Sequence, residues 1–428
     1  MKRGARAEVP ESAHFAYQDG ELACDGVPLH VLAEAHGTPS FVYSAKAITT
    51  AYHGLRASVP TPHLVAYAAK ACSNLSVLRL LANEGCGCDI VSGGELARAL
   101  EAGVAPDRIV FSGVGKTDAE IRAALEAKIR AVHVESAPEL DAIEAAARSL
   151  GVRAPITLRI NPDVDPATHP YIATGLHDSK FGLELDAARA LLPRILASDA
   201  LRLEGVACHI GSQLPEAEPL ADAVALTAAF ALECRHAGAP IRSLDAGGGW
   251  PIRYGDEEKL AAPWGEFGLA IRDGLHRAGA GALGLEVIVE PGRALVGDAA
   301  VLLTRVVYVK EQAGKRFVIV DAAMSELIRP ALYDAYHAIV PVRQAPLAGP
   351  ADVVGPICET GDFFALDRPL AAVRRGDLLA IRGAGAYGMS MASNYNSRPF
   401  ACELLVEDGA ARVIRRRQSV PDLWRDET

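Results

Sequence analysis

The sequence predicts an α/β fold: a (β/α)8 barrel of the TIM type joined to an antiparallel all-β domain. From about residue 65 to residue 293, short apolar or β-branched runs recur eight times, most of them followed by polar or Gly-rich turns. From about residue 294 the texture changes to short alternating strands joined by turns. No GxGxxG turn follows the first run, which disfavours an open doubly wound sheet.

The eight runs are Leu64–Ala69, Cys88–Val91, Arg108–Phe111, Ala131–Val134, Ile156–Ile160, Gly205–Cys208, Ile241–Leu244 and Glu286–Val289. Three of the early runs lead into helix starts spaced as capping boxes: Ser92 before Glu95, Thr117 before Glu120, Ser136 before Glu139. Ala- and Leu-rich stretches follow and stop at Gly103 and Gly151, as helix C-caps do. Strand, capped helix and strand, at steps of roughly 20 to 26 residues, build a parallel sheet. Eight such units fit a barrel that takes about 250 residues, with inserted loops in the longer later units. Beyond residue 294, VLLTRVVYVK, KRFVIVDA, ADVVGPICE, GDLLAIRG, ACELLVEDG and ARVIRRR read as strands. The segment HFAYQDGELACDGVPL reads as a hairpin turning at Asp19-Gly20; too short to fold alone, it is expected to join the C-terminal strands. The expected domains are residues 47–293 for the barrel, and 1–46 with 294–428 for the β-domain.

Composition narrows the function. Half of the 428 residues are apolar and 22% are charged, the proportions of an ordinary folded protein. With 43 Lys+Arg against 53 Asp+Glu the net charge is −10, and no basic block offers a nucleic-acid surface. The longest run without Asp, Glu, Lys or Arg, residues 383–397, is rich in Gly, Ser and Asn, so no membrane span is expected. The basic residues of MKRGARAEVPESAHF precede no apolar stretch, which argues against a secretory signal. Eight cysteines without a CxxC pair read as reduced thiols, and the expected setting is the cytoplasm. Cys86 and Cys88 lack a second Cys/His pair, so they read as strand-entry residues and no metal site is expected.

In such a barrel the reactive groups lie where the strands end. The first run ends in Tyr67-Ala68-Ala69-Lys70 and the sixth in Cys208-His209-Ile210-Gly211-Ser212-Gln213. The seventh ends in Asp245-Ala246-Gly247-Gly248-Gly249 and the eighth in Glu290-Pro291-Gly292-Arg293. An amine, an imidazole, a carboxylate, a guanidinium and two glycine turns thus share one mouth. A lone strand-end lysine is usually a solvated cap. Facing glycine turns whose N–H groups suit a phosphate, Lys70 fits a Schiff-base lysine.

In this order, the YAxK, HIGSQ, GGG and EPGR motifs resemble the pyridoxal-phosphate decarboxylases with an alanine-racemase-like barrel. Further stretches resemble the diaminopimelate decarboxylase branch: Asn161-Pro162-Asp163-Val164-Asp165 with Thr168–Gly175 and Lys180-Phe181-Gly182, Ser325–Tyr333, Cys358–Asp362, Gly385-Ala386-Tyr387-Gly388 and Ala392–Asn396. The resemblance runs from about residue 27 to 415, and it is the ordered series that makes it specific. It implies pyridoxal 5'-phosphate as cofactor, with Lys70 as its Schiff-base partner, His209 stacked on the ring and Glu290 at the ring nitrogen. Ser212, Gly248, Gly249 and Gly292 would hold the phosphate. Arg293, Arg329, Tyr333, Glu359 and Tyr387 would bind the far end of the substrate, with Arg293 and Tyr387 also near the cofactor. Cys358 would protonate the carbanion left by CO2 and would come from the partner subunit, which implies a homodimer with shared active sites. The implied reaction is decarboxylation of meso-2,6-diaminopimelate to L-lysine. The nearest rivals act on arginine, ornithine or carboxynorspermidine, whose far ends lack one or both charges that an arginine and a carboxylate would meet. A non-catalytic cofactor carrier would need neither Cys358 nor the β-domain, and a racemase would want a tyrosine base. One position departs from the pattern: Cys72 follows Ala71 where the family commonly has Asn. If the strand persists, residue 72 points away from its neighbour.

Overall fold

The computed structural model describes residues 12–165, 179–255 and 262–428. The first eleven residues of the stretch read against a secretory signal, and the Thr168–Gly175 motif, lie outside the described residues. The chain divides into two compact units. One comprises Met1–Ala51, Ile252–Leu260 and Leu295–Thr428; the other comprises Tyr52–Pro251 and Ala261–Ala294. The first unit begins with β1 (Phe15–Gln18), β2 (Glu21–Cys24), β3 (Val27–Pro28) and β4 (Ser40–Ser44).

The second unit is the barrel. Its strands are β5 (His63–Ala68), β6 (Gly87–Ile90), β7 (Ile109–Phe111), β8 (Ala131–Val134), β9 (Ala154–Arg159), β10 (Leu201–Ala207), β11 (Ser243–Asp245) and β12 (Glu286–Val289). They pair in parallel in chain order, and β12 closes on β5 with Ile288 opposite Leu64. Leu64, Ala66, Val110 and Ile288 form an apolar layer inside. The helix starts are where the capping spacing puts them. Thr117 makes the full reciprocal box with Glu120. Ser92 and Ser136 accept from the N–H of Glu95 and Glu139, but those carboxylates reach back one residue further, to the N–H of Val91 (2.8 Å) and Glu135 (2.6 Å). Gly103 and Gly151 take φ of 87° and 65°, the left-handed conformation of a helix end.

Two details of the sequence reading change. β5 stops at Ala68, and Ala69–Ala71 forms a 3-10 turn, so Lys70 stands on a turn beyond the strand instead of closing it. Position 72 therefore has no strand alternation to obey. Its side chain is buried, and its carbonyl accepts the Tyr67 hydroxyl at 3.0 Å. Cys86 and Cys88 are buried at the start of β6, as strand-entry residues should be, and the Cys86 thiol points at the Val65 carbonyl.

The first unit carries β13 (Ala300–Gln312), β14 (Lys315–Val320), β15 (Ile339–Pro341), β16 (Leu347–Val354), β17 (Phe363–Ala371), β18 (Leu378–Ile381), β19 (Cys402–Glu407) and β20 (Ala410–Arg415). They form one sheet in the order β17-β16-β14-β13-β4-β19-β20, with β18 paired to β13 and β15 to β18. Pairing is antiparallel except between β14 and β16 and between β4 and β19. β1–β3 make their own small sheet. The hairpin does meet C-terminal residues, through Leu22 N–H to the Val342 carbonyl (2.7 Å) and Gln344 N–H to that of Gly20 (2.8 Å). Phe15, Leu22, Leu29, Val42, Val301, Leu303, Leu404 and Val406 share one core. Among the described residues no helix is long and apolar enough to cross a membrane.

Candidate active site

Lys70 projects from the turn after β5, with its Nζ 3.4 Å from Oδ2 of Asp89 on β6. Asp89 is fully buried while the lysine is 38% exposed, so the amine reaches outward from a carboxylate anchor. His209, just past β10, accepts the Gly248 N–H at Nδ1 (3.1 Å). That bond leaves the ring proton on Nε2, and burial first, then Lys70 and Arg159, holds the imidazole neutral. Gly248 has no room for a side chain: a Cβ would lie 2.5 Å from the Glu290 carbonyl. A Cβ on Gly292 would press the methyls of Ala71 and Ala68 at 3.0 and 3.1 Å. The N–H groups of Gly249 and Gly292 have no hydrogen-bond partner among the described residues. Arg293 donates to Ser212 Oγ from Nε (3.4 Å) and Nη2 (3.2 Å), tying the turn after β10 to the turn after β12. Two open backbone donors, a serine hydroxyl and an arginine fit a phosphate, and a neutral imidazole fits the face of a pyridine ring.

The structure adds buried polar residues to which the sequence reading gave no role, Asp245 having been seen only as the end of its run. Asp89, His133, Arg159 and Asp245 lie inside barrel strands, with Ser112 and Glu135 immediately after theirs, and all six are buried. Arg159 pairs with Glu135 (2.8 Å), which also takes the N–H of Gly113 and of Gly182. Lys116 is enclosed by three acceptors: the Gly113 carbonyl, the His133 carbonyl and Glu139. The available signal was a polar or charged residue within a short apolar run, as in CDIV, AVHV and TLRI.

Glu290 Oε1 lies within hydrogen-bond distance of Ser112 Oγ, at 3.2 Å. Burial pushes its carboxyl well above the usual range, and the charges of Asp245 and Asp89 add to the rise. Burial likewise raises Asp245. The stability consequence has a definite sign. Carboxyls raised on folding stay protonated where the unfolded chain has already ionised, so stability falls as pH climbs from about 4 toward the folded-state values, by up to about 1.4 kcal/mol per pH unit per proton. Cofactor-free protein should therefore lose melting temperature between about pH 5 and 7 more steeply than its Asp245→Asn variant. Parallel curves for the two proteins would contradict the assignment.

The other candidate residues belong to the first unit. Arg329 is buried; its Nη1 donates to the Tyr254 hydroxyl (2.8 Å) and lies 2.9 Å from His337 Nε2. Its guanidinium lies over the Tyr254 ring at 4.9 Å. Tyr333 closes the same short helix, Arg329–Tyr333, and is half-buried. Cys358 and Glu359 are exposed. Asp362 organises the turn, accepting the N–H of Ile357 and of Met324, each at 2.6 Å. Cys358 N–H donates to Asn396 (3.0 Å), and Glu359 bonds the Tyr395 hydroxyl, raising that phenol. Tyr387 holds φ at 57°, a left-handed conformation uncommon for an aromatic residue.

Residues 45–297 match the family described as pyridoxal-dependent decarboxylase, pyridoxal binding domain. The chain is 49% identical to the diaminopimelate decarboxylase of Pseudomonas aeruginosa, over 97% of this chain and 98% of that one. The chain belongs to the diaminopimelate decarboxylase family of pyridoxal-dependent decarboxylases. The Vibrio cholerae member is 47% identical over 96% of this chain and 98% of its own. The crystal structure of the Helicobacter pylori diaminopimelate decarboxylase complexed with L-lysine superposes with a TM-score of 0.89, at 43% identity, over 93% of this chain and 98% of that chain. Membership makes the chain a lyase with pyridoxal phosphate as its cofactor, and the glycine-lined mouth of the barrel fits that group.

Proposed function

We propose that this chain decarboxylates meso-2,6-diaminopimelate to L-lysine and CO2, the last step of lysine biosynthesis. Likeness over almost the whole of both chains carries the reading, because it spans both units and with them every candidate residue. Lys70 is the covalent partner of the cofactor, and Ser212, Gly248, Gly249, Gly292 and Arg293 hold its phosphate. His209 gives the ring an uncharged face, and Glu290 meets the ring nitrogen. When bound, pyridoxal phosphate supplies an electron sink for the pair left as the α-carboxylate departs. Asp89 orients the lysine amine. Arg329, clamped by Tyr254 and His337, presents a fixed guanidinium to the distal carboxylate, while Glu359 meets the distal ammonium. Arg293, Tyr333 and Tyr387 complete substrate binding, and Tyr387 also serves the cofactor. The test is CO2 release from a panel of amino acids. Release from diaminopimelate alone supports the reading, while release from arginine, ornithine or carboxynorspermidine would replace it.

The functional division follows residues 47–293 for the cofactor, and 1–46 with 294–428 for completing the site and the dimer interface. The protein acts in the cytoplasm as a homodimer in which Cys358 enters the partner's site and protonates the reacting carbon. An exposed Cys-Glu turn, shaped by Asp362, supports this reading. Mixing inactive Lys70→Ala and Cys358→Ala proteins under subunit exchange should then restore about a quarter of wild-type activity, because half the dimers carry one intact site of two. A dead mixture with confirmed exchange would place Cys358 in its own chain's site or outside catalysis.

A further inference from the structure

Below the mouth lies a buried polar cluster that none of the sequence motifs accounts for. Ser112 follows β7, His133 sits in β8 and Asp245 ends β11; with Glu290 they are shut off from water. Ser112 Oγ stands 3.1 Å from His133 Nδ1 and 3.2 Å from Glu290 Oε1. A hydroxyl has one proton, so it donates to one of these neighbours and accepts from the other. On the far side of the ring, His133 Nε2 faces Asp245 Oδ2 at 3.8 Å, and neither atom has a hydrogen-bond partner among the described residues. One polar atom each of His133, Asp245 and Glu290 lies within 4.8 Å of the others.

We propose that Ser112 and His133 are positioning residues for Glu290, forming a hydrogen-bond chain whose direction decides whether Glu290 or Asp245 carries the negative charge. The idea rests on the proposed role of Glu290 at the cofactor's ring nitrogen. In one direction the Glu290 carboxylate accepts from the Ser112 hydroxyl, Ser112 accepts from His133 Nδ1–H, and Nε2 accepts from a protonated Asp245. In the other, a protonated Glu290 donates to Ser112, Ser112 donates to Nδ1, and Nε2–H donates to the Asp245 carboxylate. Passing from the second to the first breaks the Glu290 O–H, the original Ser112 O–H and the Nε2–H bonds. It forms a new Ser112 O–H, the Nδ1–H and the Asp245 O–H. Net, one proton moves from Glu290 to Asp245 and none is lost. The Nε2 to Oδ2 gap must close by about 0.9 Å to reach an ordinary hydrogen bond.

A cation in front of Glu290 selects the first direction. The surrounding charges permit both. Asp245 and Asp89 on β6 disfavour a second charge at Glu290, while Lys70 and Arg159 favour it. Burial, with Lys116 and Arg159 nearby, keeps His133 uncharged, so the ring passes a proton without storing one.

The experiment strips the enzyme of cofactor and titrates pyridoxal phosphate back between about pH 6 and 9, following the visible absorbance and the melting temperature. Ser112→Ala and His133→Leu should each weaken binding about tenfold and shift the pH at which affinity falls, and the double variant should lose no more than either alone. His133→Asn, which keeps a donor toward Ser112, should recover most of the affinity. Losses that multiply to about a hundredfold in the double variant, or variants that bind like wild type at every pH, would overturn the chain. Glu290→Gln is the control. If it too binds like wild type, the ring-nitrogen role of Glu290 is what fails; if it alone weakens binding, only the chain through Ser112 and His133 fails.

Discussion

Lys70→Ala is expected to abolish decarboxylation, a loss on the order of 10³-fold or more, because the covalent link to the cofactor has no substitute in the barrel. Borohydride treatment of the wild-type enzyme should fix the cofactor to the peptide carrying Lys70 and to no other. The structure removes the obvious competitor. Lys116 is buried in the same unit, but its three N–H donors are taken by two carbonyls and Glu139, so its amine is not free to react. Lys70 differs in setting: its side chain is 38% exposed, and its Nζ lies 3.4 Å from Asp89 Oδ2. Label on another lysine, or a variant that keeps the borohydride-reducible adduct, would show the site to be misassigned.

Arg329→Ala should raise KM for diaminopimelate about ten- to a hundredfold while cofactor affinity holds, since a charged hydrogen bond is worth about 1.5–3 kcal/mol. The guanidinium has been immobilised in advance: one nitrogen is shared by Tyr254 and His337, and the plane rests on the Tyr254 ring. Tyr254→Phe keeps the charge but loosens the clamp, so its KM should rise by less than that of Arg329→Ala. Unchanged KM in Arg329→Ala would take this arginine out of substrate binding and reopen the decarboxylases of simpler basic amino acids.

How far the sequence could be read depended on the kind of pattern involved. Repeating strand-and-helix units leave a period, and capping residues mark helix starts, so the eight barrel strands were found within a few residues of their true ends. Polar residues at strand ends were also visible, because position after a run is itself a signal. Asp89, His133, Asp245 and Arg159 were harder to see. Each lies within or at the end of a strand only three to six residues long, and the groups they face (Lys70 for Asp89, Ser112 and Asp245 for His133, Glu135 for Arg159) are distant in the chain. Spacing along a single chain does not encode those partnerships. β4 was missed for a related reason: SFVYS is a five-residue apolar run between two helices, with nothing nearby to show which sheet would take it.

The placement of β4 governs the order of events when this polypeptide is made. Residues 40–44 lie in the middle of their sheet, hydrogen-bonded to Ala300–Leu303 on one edge and to Cys402–Val406 on the other. Tyr43 is further tied by its hydroxyl to Glu403, at 3.0 Å. During synthesis a strand made among the first fifty residues must wait until residue 300 for a partner on one edge and until the last thirty residues for a partner on the other. The barrel's strands all lie between β4 and residue 300 and can assemble on the ribosome in the meantime. A message cut short after the barrel would thus yield a sound cofactor cage carrying an open, apolar ribbon, the kind of edge that recruits chaperones or other copies of itself.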